Sequence, residues 1–365
     1  MSAAYPLRLE RINHHYGQVH AVVDLSLVVP AGSFLTLLGP SGCGKSTTLS
    51  IIAGLERPTS GAVWLGDRNI TGDPPNERGM AMVFQNYALY PYQSVFGNLA
   101  FGLKLLGRSK AEIATRVRTV AKILDIERLL ERKPAELSGG QQQRVALGRA
   151  LVKQPSVFLL DEPFSNLDAI LRARMRTEVK HLHLQLGTTS VFVTHDQEEA
   201  MAMSDFIAVM SDGRLEQYGT QHEVYRKPTN RYVAAFVGKP RMTMVEGTLE
   251  AAGDGLQFRN RDFSVELPGV RAADLARHGE MIVLGVRAEN LQLRLDGTLS
   301  SRCFEATVQL VEPIGSDTFV ELQIGDTQLV ARTSPYTELE RGQLVHAELT
   351  GPVHLFDLVT TQRIN

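Results

Sequence analysis

The chain has 365 residues, 43% of them hydrophobic and 21% charged, which is enough for a large core and two domains. Its net charge of −2 gives no basis for nonspecific nucleic-acid binding, and its two cysteines, far apart in sequence, make no disulfide framework and suit a reducing cytoplasm. No apolar run approaches the roughly 18 residues that a membrane helix needs, and the N-terminus lacks the order of a secretion signal, so the sequence predicts a soluble chain that reaches a membrane only through a partner.

In chain order, the first segment alternates strand patterns with a helix. Ser33-Phe34-Leu35-Thr36-Leu37-Leu38 reads as a buried strand and Thr47 to Ala53 as a helix. Between them, Gly39-Pro40-Ser41-Gly42-Cys43-Gly44-Lys45-Ser46 matches the phosphate-loop pattern in the strand-to-helix context that the pattern requires. A glycine loop at a helix N-terminus turns backbone N–H groups and the positive end of the helix dipole toward an anion. Lys45 is placed to reach the β- and γ-phosphates of ATP, and the Ser46 hydroxyl to ligate Mg²⁺. Cys43 sits where a helix N-terminus can lower a thiol pKa, so alkylation is expected to inhibit hydrolysis and ATP to protect; a small residue tolerated by the loop is the plainer reading.

Further along, the apolar run Met80 to Phe84 ends at Gln85. Residues from about 87 to 155 read as an inserted helical lobe, with patterns at Val95 to Leu106 and Ala111 to Leu124. Within it, Leu137-Ser138-Gly139-Gly140-Gln141 opens an amphipathic helix carrying Val145, Leu147 and Leu151. Val157-Phe158-Leu159-Leu160-Asp161-Glu162 then reads as a buried parallel strand ending in two acids. Asp161 is expected to hold Mg²⁺ opposite Ser46, and Glu162 to polarise the water that attacks the γ-phosphate. The arginines of Leu171 to Arg176 read as a solvated face or as ion pairs. Strand Ser190 to Thr194 precedes His195, whereas His14, His15, His181 and His183 read as solvated or partly buried.

These motifs resemble the ATPase subunit of an ATP-binding cassette (ABC) transporter over nearly the whole chain. The resemblance implies an α/β phosphate-loop domain with an inserted helical lobe over residues 1–237, and a C-terminal all-β OB-type regulatory domain over 238–365. It also implies a head-to-tail dimer in which Ser138, Gly139, Gly140 and Gln141 of one chain, with Asp168, close over ATP bound by the other. Gln85 resembles the glutamine that contacts Mg²⁺ and the attacking water, and His195 the histidine that contacts the γ-phosphate. Tyr16 resembles the aromatic that stacks on adenine, and Thr47 completes the ATP-binding loop. Asp168, in Ser165-Asn166-Leu167-Asp168, resembles the link between the two sites of the dimer.

After Lys239 the sequence changes to short β-like runs punctuated by Gly, Pro and Asp-Gly turns, including Met281 to Val286, Thr307 to Val311, Thr318 to Ile324 and Gln328 to Ala331. Gly285-Val286-Arg287-Ala288-Glu289 and Val311-Glu312-Pro313-Ile314-Gly315 resemble the regulatory domain of bacterial importers. The implied partners are two membrane-spanning permease subunits, an extracytoplasmic solute-binding protein acting indirectly, and a cytoplasmic regulator at the C-terminal domain. The implied location is the cytoplasmic face of the inner membrane. Asn86-Tyr87-Ala88-Leu89-Tyr90-Pro91 is expected to line the permease groove with exposed aromatics. The segment from Pro74 to Pro91 is similar to the carbohydrate and glycerol-3-phosphate importer ATPases. Gln142 and Glu198 instead resemble polyamine and ferric-iron subunits, and Phe164 replaces the usual Leu, which leaves those cargoes as an alternative. A soluble ABC ATPase uncoupled from transport is the other alternative, disfavoured by single copies of each motif and the absence of sustained heptads.

Overall fold

The computed structural model describes residues 4–165, 167–252, 255–271, 279–294 and 300–365. It divides into two compact units, Met1–His222 and Glu223–Asn365.

The first unit begins with β1 (Leu7–Tyr16), β2 (Val19–Val29), β3 (Phe34–Leu38), α1 (Lys45–Ala53), β4 (Ser60–Leu65), β5 (Arg68–Asn69) and β6 (Met80–Val83). The helical lobe follows as α2 (Val95–Leu105), α3 (Lys110–Ile123) and α4 (Gly139–Leu151). Then come β7 (Val157–Asp161), α5 (Ala169–Leu186), β8 (Thr189–Thr194), α6 (Gln197–Met203), β9 (Phe206–Ser211) and β10 (Arg214–Thr220).

A six-stranded sheet in the order β10-β9-β3-β8-β7-β6 forms the centre of this unit. Strands β6, β7, β8, β3 and β9 run parallel, and β10 returns antiparallel at the edge. Both faces of a parallel sheet are covered, so β3 and β8 are buried at every position, as a continuous apolar run requires. The parallel arrangement also brings the carboxyl ends of β3, β6, β7 and β8 to one edge, where ligands of open α/β sheets bind. The sequence reading did not foresee a second, antiparallel sheet, β2-β1-β4-β5, whose strands alternate buried and exposed residues.

In the lobe, Val95, Leu99 and Leu103 of α2 and Ile113, Val117 and Val120 of α3 recur at helical spacing and join Val145, Leu147 and Leu151 of α4 in one core. Ser94 and Ser109 cap α2 and α3, accepting from the N–H groups of Gly97 and Glu112. Helix does not begin at 87, because Tyr87 and Ala88 adopt φ values of 59° and 44°, which a helix cannot include.

The second unit carries α7 (Gln221–Arg226), which begins just before it, and α8 (Arg231–Phe236). Its strands are β11 (Thr243–Ala252), β12 (Gly255–Arg259), β13 (Ser264–Arg271), β14 (Met281–Val286), β15 (Leu291–Arg294), β16 (Cys303–Ile314), β17 (Asp317–Ile324), β18 (Thr327–Thr333), β19 (Leu344–Leu349) and β20 (His354–Asp357). They form two five-stranded antiparallel sheets sharing one apolar core. Pro313 is tolerated within β16 because β19 pairs only with Cys303 to Thr307, so the ring meets no partner strand on that side. The boundary lies upstream of the 237/238 junction read from the sequence. Arg287 donates to the carbonyls of Val237 and Tyr225, both at 2.8 Å, and Ala234 packs on Phe356, which ties this short helical stretch to the β unit.

Candidate active site

The phosphate loop is pinned at two glycines. A Cβ at Gly39 would collide with the Met210 carbonyl oxygen, and one at Gly44, whose φ is 97°, with the Ala21 carbonyl oxygen. Gly42, also at positive φ, faces open space. Pro40, Ser41 and Gly42 are accordingly exposed, while Cys43, Gly44 and Lys45 are buried. Gly44 is the N-cap of α1, so the unpaired N–H groups of the first helical turn open toward the loop. Lys45 is only 4% exposed, and its ammonium donates to the carbonyls of Gly39 at 2.9 Å and Pro40 at 2.8 Å.

Ser46 leaves the first turn of α1 toward the end of β7, where its hydroxyl donates to Asp161 Oδ1 at 3.0 Å. Burial pushes the Asp161 carboxyl above its usual range, against the Ser46 hydrogen bond, while Glu162 adds to the rise and Lys45 opposes it. Glu162 follows at a φ of 42°, a conformation costing about 1–3 kcal/mol for a non-glycine residue. Its N–H donates to Val193 O at 3.1 Å, and its carboxylate lies 3.3 Å from His195 Nδ1. Gln85, beyond the end of β6, donates through Nε2 to Ser165 Oγ at 3.3 Å, and Ser165 Oγ donates to the Glu162 carbonyl at 3.0 Å. Ser46, Asp161, Glu162, His195 and Gln85 therefore form one linked cluster at the carboxyl edge of the parallel sheet.

The remaining candidates lie on other segments. Ser138 and Gly139 are exposed at the start of α4, and Ser138 N–H donates to the Gln141 side chain at 3.0 Å. Gly140 lies against Leu171 with no room for a side chain unless that leucine moves. Among the described residues, no hydrogen bond or ion pair joins Ser138 to Gln141 with the loop from Gly39 to Ser46. Asp168 caps α5 by accepting from Leu171 N at 2.9 Å, and Asn166 lies outside the described residues. Tyr16, at the end of β1 and half exposed, meets the His14 ring edge-on at 4.6 Å.

Several supporting residues were not visible in the sequence pattern. Thr194 donates to Glu199 Oε2 at 2.6 Å and accepts from Asp196 N at 3.0 Å, which braces the backbone at His195. Arg78, 2% exposed, donates to the carbonyls of Ile51 at 2.8 Å and Ile52 at 2.9 Å, so a cation caps the far end of α1. A buried arginine after a proline-rich turn gives no periodic signal.

Other expectations are corrected. Cys43 is buried, and desolvation raises its thiol pKa, outweighing the lowering by Lys45, whose Nζ lies 3.8 Å away and whose N–H opens the helix. His14 and His183 are buried, with His183 Nδ1 2.9 Å from Ser190 Oγ. In Asn86 to Pro91, Tyr90 is exposed but Tyr87 is buried in the lobe core. The arginine run, by contrast, forms ion pairs as expected, Arg172 with Asp196 and Glu199, Arg174 with Glu178, and Arg176 with Glu198.

The chain matches the ABC transporter family model over residues 22–165 and the TOBE domain model over 284–355. It is 46% identical over 365 residues to the sn-glycerol-3-phosphate import ATP-binding protein UgpC of Salmonella typhimurium, a similarity covering 98% of this chain and 99% of that protein. The chain belongs to the ABC transporter ATPases. This ABC ATPase is also 43% identical over 361 residues to the sulfoquinovosyl glycerol transport ATP-binding protein SmoE of Agrobacterium fabrum, covering 98% of this chain and 99% of that one. Among solved structures, it is similar to the dimeric bacterial ABC transporter cassette MJ0796, with a TM-score of 0.54 and 32% identity, covering 59% of this chain and 98% of that one.

The ABC ATPase hydrolyses ATP with Mg²⁺ as its cofactor. Its own donors suit that ion: one hydroxyl and one carboxylate are hard oxygen ligands, and Mg²⁺ is usually held by one or two carboxylates plus phosphate oxygens and water. Among the described residues no group of three or more His, Cys, Asp or Glu forms a metal cage.

Proposed function

We propose that this ABC ATPase energises a bacterial importer of glycerol-3-phosphate or a sugar-like solute, as a homodimer with ATP sandwiched between two copies. The observation that carries the catalytic part is the Ser46–Asp161–Glu162–His195–Gln85 cluster at one sheet edge. End-to-end similarity to a glycerol-3-phosphate import ATP-binding protein and a sulfoquinovosyl glycerol transport ATP-binding protein supports the cargo class. Gln142 adds nothing toward polyamine or iron, since its amide is engaged locally with the carbonyls of Pro134 and Leu137.

In this reading Gly39, Pro40, Ser41, Gly42, Cys43, Gly44, Lys45, Ser46 and Thr47 wrap the phosphates, and Tyr16 stacks on the adenine. Ser46, Asp161 and Gln85 would hold Mg²⁺, which would supply positive charge to offset the phosphates. Glu162 accepts the proton of the attacking water, and His195, held through Nδ1 by Glu162, directs Nε2 to the γ-phosphate. Exposure of Ser138 and Gly139 at a helix N-terminus, unconnected to their own loop, suits a site completed in trans, with Asp168 beside it.

Coupling is assigned to a groove of 360 Å³ at the opposite end of α1 from the phosphate loop, lined by Leu55, Phe84, Tyr90, Phe101 and Leu105. An apolar groove of this kind suits a helix from each of two permease subunits. No helix among the described residues is long and apolar enough to cross a membrane. The protein would thus sit at the cytoplasmic face through these permeases, fed by an extracytoplasmic binding protein. The TOBE unit would take a cytoplasmic regulator.

The test is Glu162→Gln in the full-length chain. ATP should bind and drive dimerisation, read by sedimentation, while phosphate release disappears; near-normal hydrolysis would refute the role of Glu162. Ser138→Arg should prevent ATP-dependent dimerisation.

A further inference from the structure

The segment between Gln85 and α2 is held in an unfavourable backbone conformation by side chains from two helices. Tyr87 and Ala88 both have positive φ, outside the region that non-glycine residues prefer. Arg149, on the last turn of α4, donates to the Ala88 carbonyl and to the Tyr87 carbonyl at 3.2 Å. Its guanidinium also lies over the Tyr90 ring at 5.4 Å. From the other side, fully buried Asn98 of α2 accepts from Tyr90 N at 2.8 Å and donates to Tyr90 O at 3.1 Å. The planar fork of an arginine can reach two neighbouring carbonyls at once, which a lysine ammonium on its flexible stem does poorly.

The same segment starts at Gln85, whose side chain reaches Ser165 and through it the Glu162 carbonyl. Helix α4 starts at Ser138. One helix thus presents the Ser138 end to solvent and grips the backbone that follows Gln85 with the other. A rigid helix moves as a body, so a tilt of α4 that shifts Ser138 must also pull on Tyr87 and Ala88 or break both hydrogen bonds.

We propose that Arg149 is a positioning residue that latches the Tyr87–Ala88 backbone to α4, so that Gln85 is held against Ser165 only when α4 is in the matching orientation. The proposal rests on the role given to Gln85 above, and its effect on hydrolysis runs through that side chain. Burial lowers the Arg149 pKa, with Tyr90 opposing, and a guanidinium stays charged at physiological pH.

The experiment measures ATP hydrolysis and urea unfolding of full-length Arg149→Met, Arg149→Lys, Gln85→Ala and the double variant Gln85→Ala/Arg149→Met. Arg149→Met should lower kcat about tenfold, as expected for a displaced catalytic group, with KM for ATP within about twofold. Arg149→Lys should recover part of that loss. In the Gln85→Ala background, Arg149→Met should cost nothing further, because the two substitutions remove one linkage. An additive loss in the double variant, or a loss that tracks unfolding free energy instead of kcat, overturns the latch. So does unchanged kcat in Arg149→Met when Gln85→Ala is impaired, which leaves the Gln85 role standing. Full activity of Gln85→Ala removes that role and the latch with it. If Arg149→Met does not fold, Arg149→Lys alone and in the Gln85→Ala background supplies the same comparison.

Discussion

The Glu162 carboxylate stands 3.3 Å from Nδ1 of His195, although the two belong to different strand-loop segments. They meet because β7 and β8 are adjacent and parallel, with Asp161 paired to Val193, so both loops leave the sheet at the same level. His195 is more than half exposed and contributes little packing. His195→Ala is therefore expected to leave the melting temperature nearly unchanged while lowering kcat by about a hundredfold, the usual scale for losing a polarising group in phosphoryl transfer. Phosphate release at saturating ATP reads it, and a loss below about threefold would argue against any catalytic part for this histidine.

Burial makes the ionised form of Asp161 a cost to stability, which the proposed Mg²⁺ role would offset. Its folded pKa stands above the unfolded value, so ionisation costs the folded state stability. The cost is absent at pH below the unfolded pKa of 3.8, grows as the pH rises toward the folded value, and is constant above it. At neutral pH, Asp161→Asn should melt higher than the parent chain in the absence of nucleotide. MgATP should reverse the order by stabilising only the parent, and hydrolysis by the variant should vanish. Thermal melts with and without MgATP check both halves; an apo variant that melts lower contradicts the burial argument.

Cys43 is buried with a raised pKa, whereas Cys303 is partly exposed. Thiolate is the reactive form, so iodoacetamide at pH 7 should label Cys303 first and Cys43 slowly. Peptide mass spectrometry of a time course decides it. Preferential labelling of Cys43 would mean that the loop opens readily in solution.

In the second unit, His354 is 3% exposed at the start of β20, and its Nδ1 has no hydrogen-bond partner among the described residues. Burial, with Arg363 and Arg287 nearby, pushes its pKa from 6.5 down to about 4. Between those values the unfolded chain binds a proton that the folded chain excludes. Stability is therefore complete above pH 6.5 and is lost as the pH falls toward 4, by about 3 kcal/mol in all. His354→Leu should remove that part of the acid sensitivity. Urea unfolding at pH 7 and pH 4.5 measures it, and identical pH dependence in both chains would show that the proton is taken up elsewhere.

What the sequence determined by itself is what short-range patterns can encode. Asp161, Glu162 and His195 stood out because each sits where an apolar strand run meets a loop, Lys45 and Ser46 because a glycine loop there meets a helix pattern, and the alternation of such runs with helical patterns implies parallel strands. The β runs after Met281 were legible from their alternation and turn residues. Gly39 and Gly44 were legible as glycines, but their reason, the carbonyls of Met210 and Ala21, was not.

Tertiary structure alone decided the links between these pieces. The strand order β10-β9-β3-β8-β7-β6 is what sets Glu162 beside His195 and Gln85 beside Ser165. Arg78 on α1, Thr194 on Glu199 and Arg149 on the Tyr87–Ala88 backbone are all bonds from side chains to groups outside their own periodic pattern. Their physical cause is the need to satisfy buried polar groups once the elements have packed. That need arises only in the folded chain, and so leaves no periodic trace in the sequence. It also turned residues 87–94, within the lobe that reads as helical from 87, into an irregular segment held from both sides.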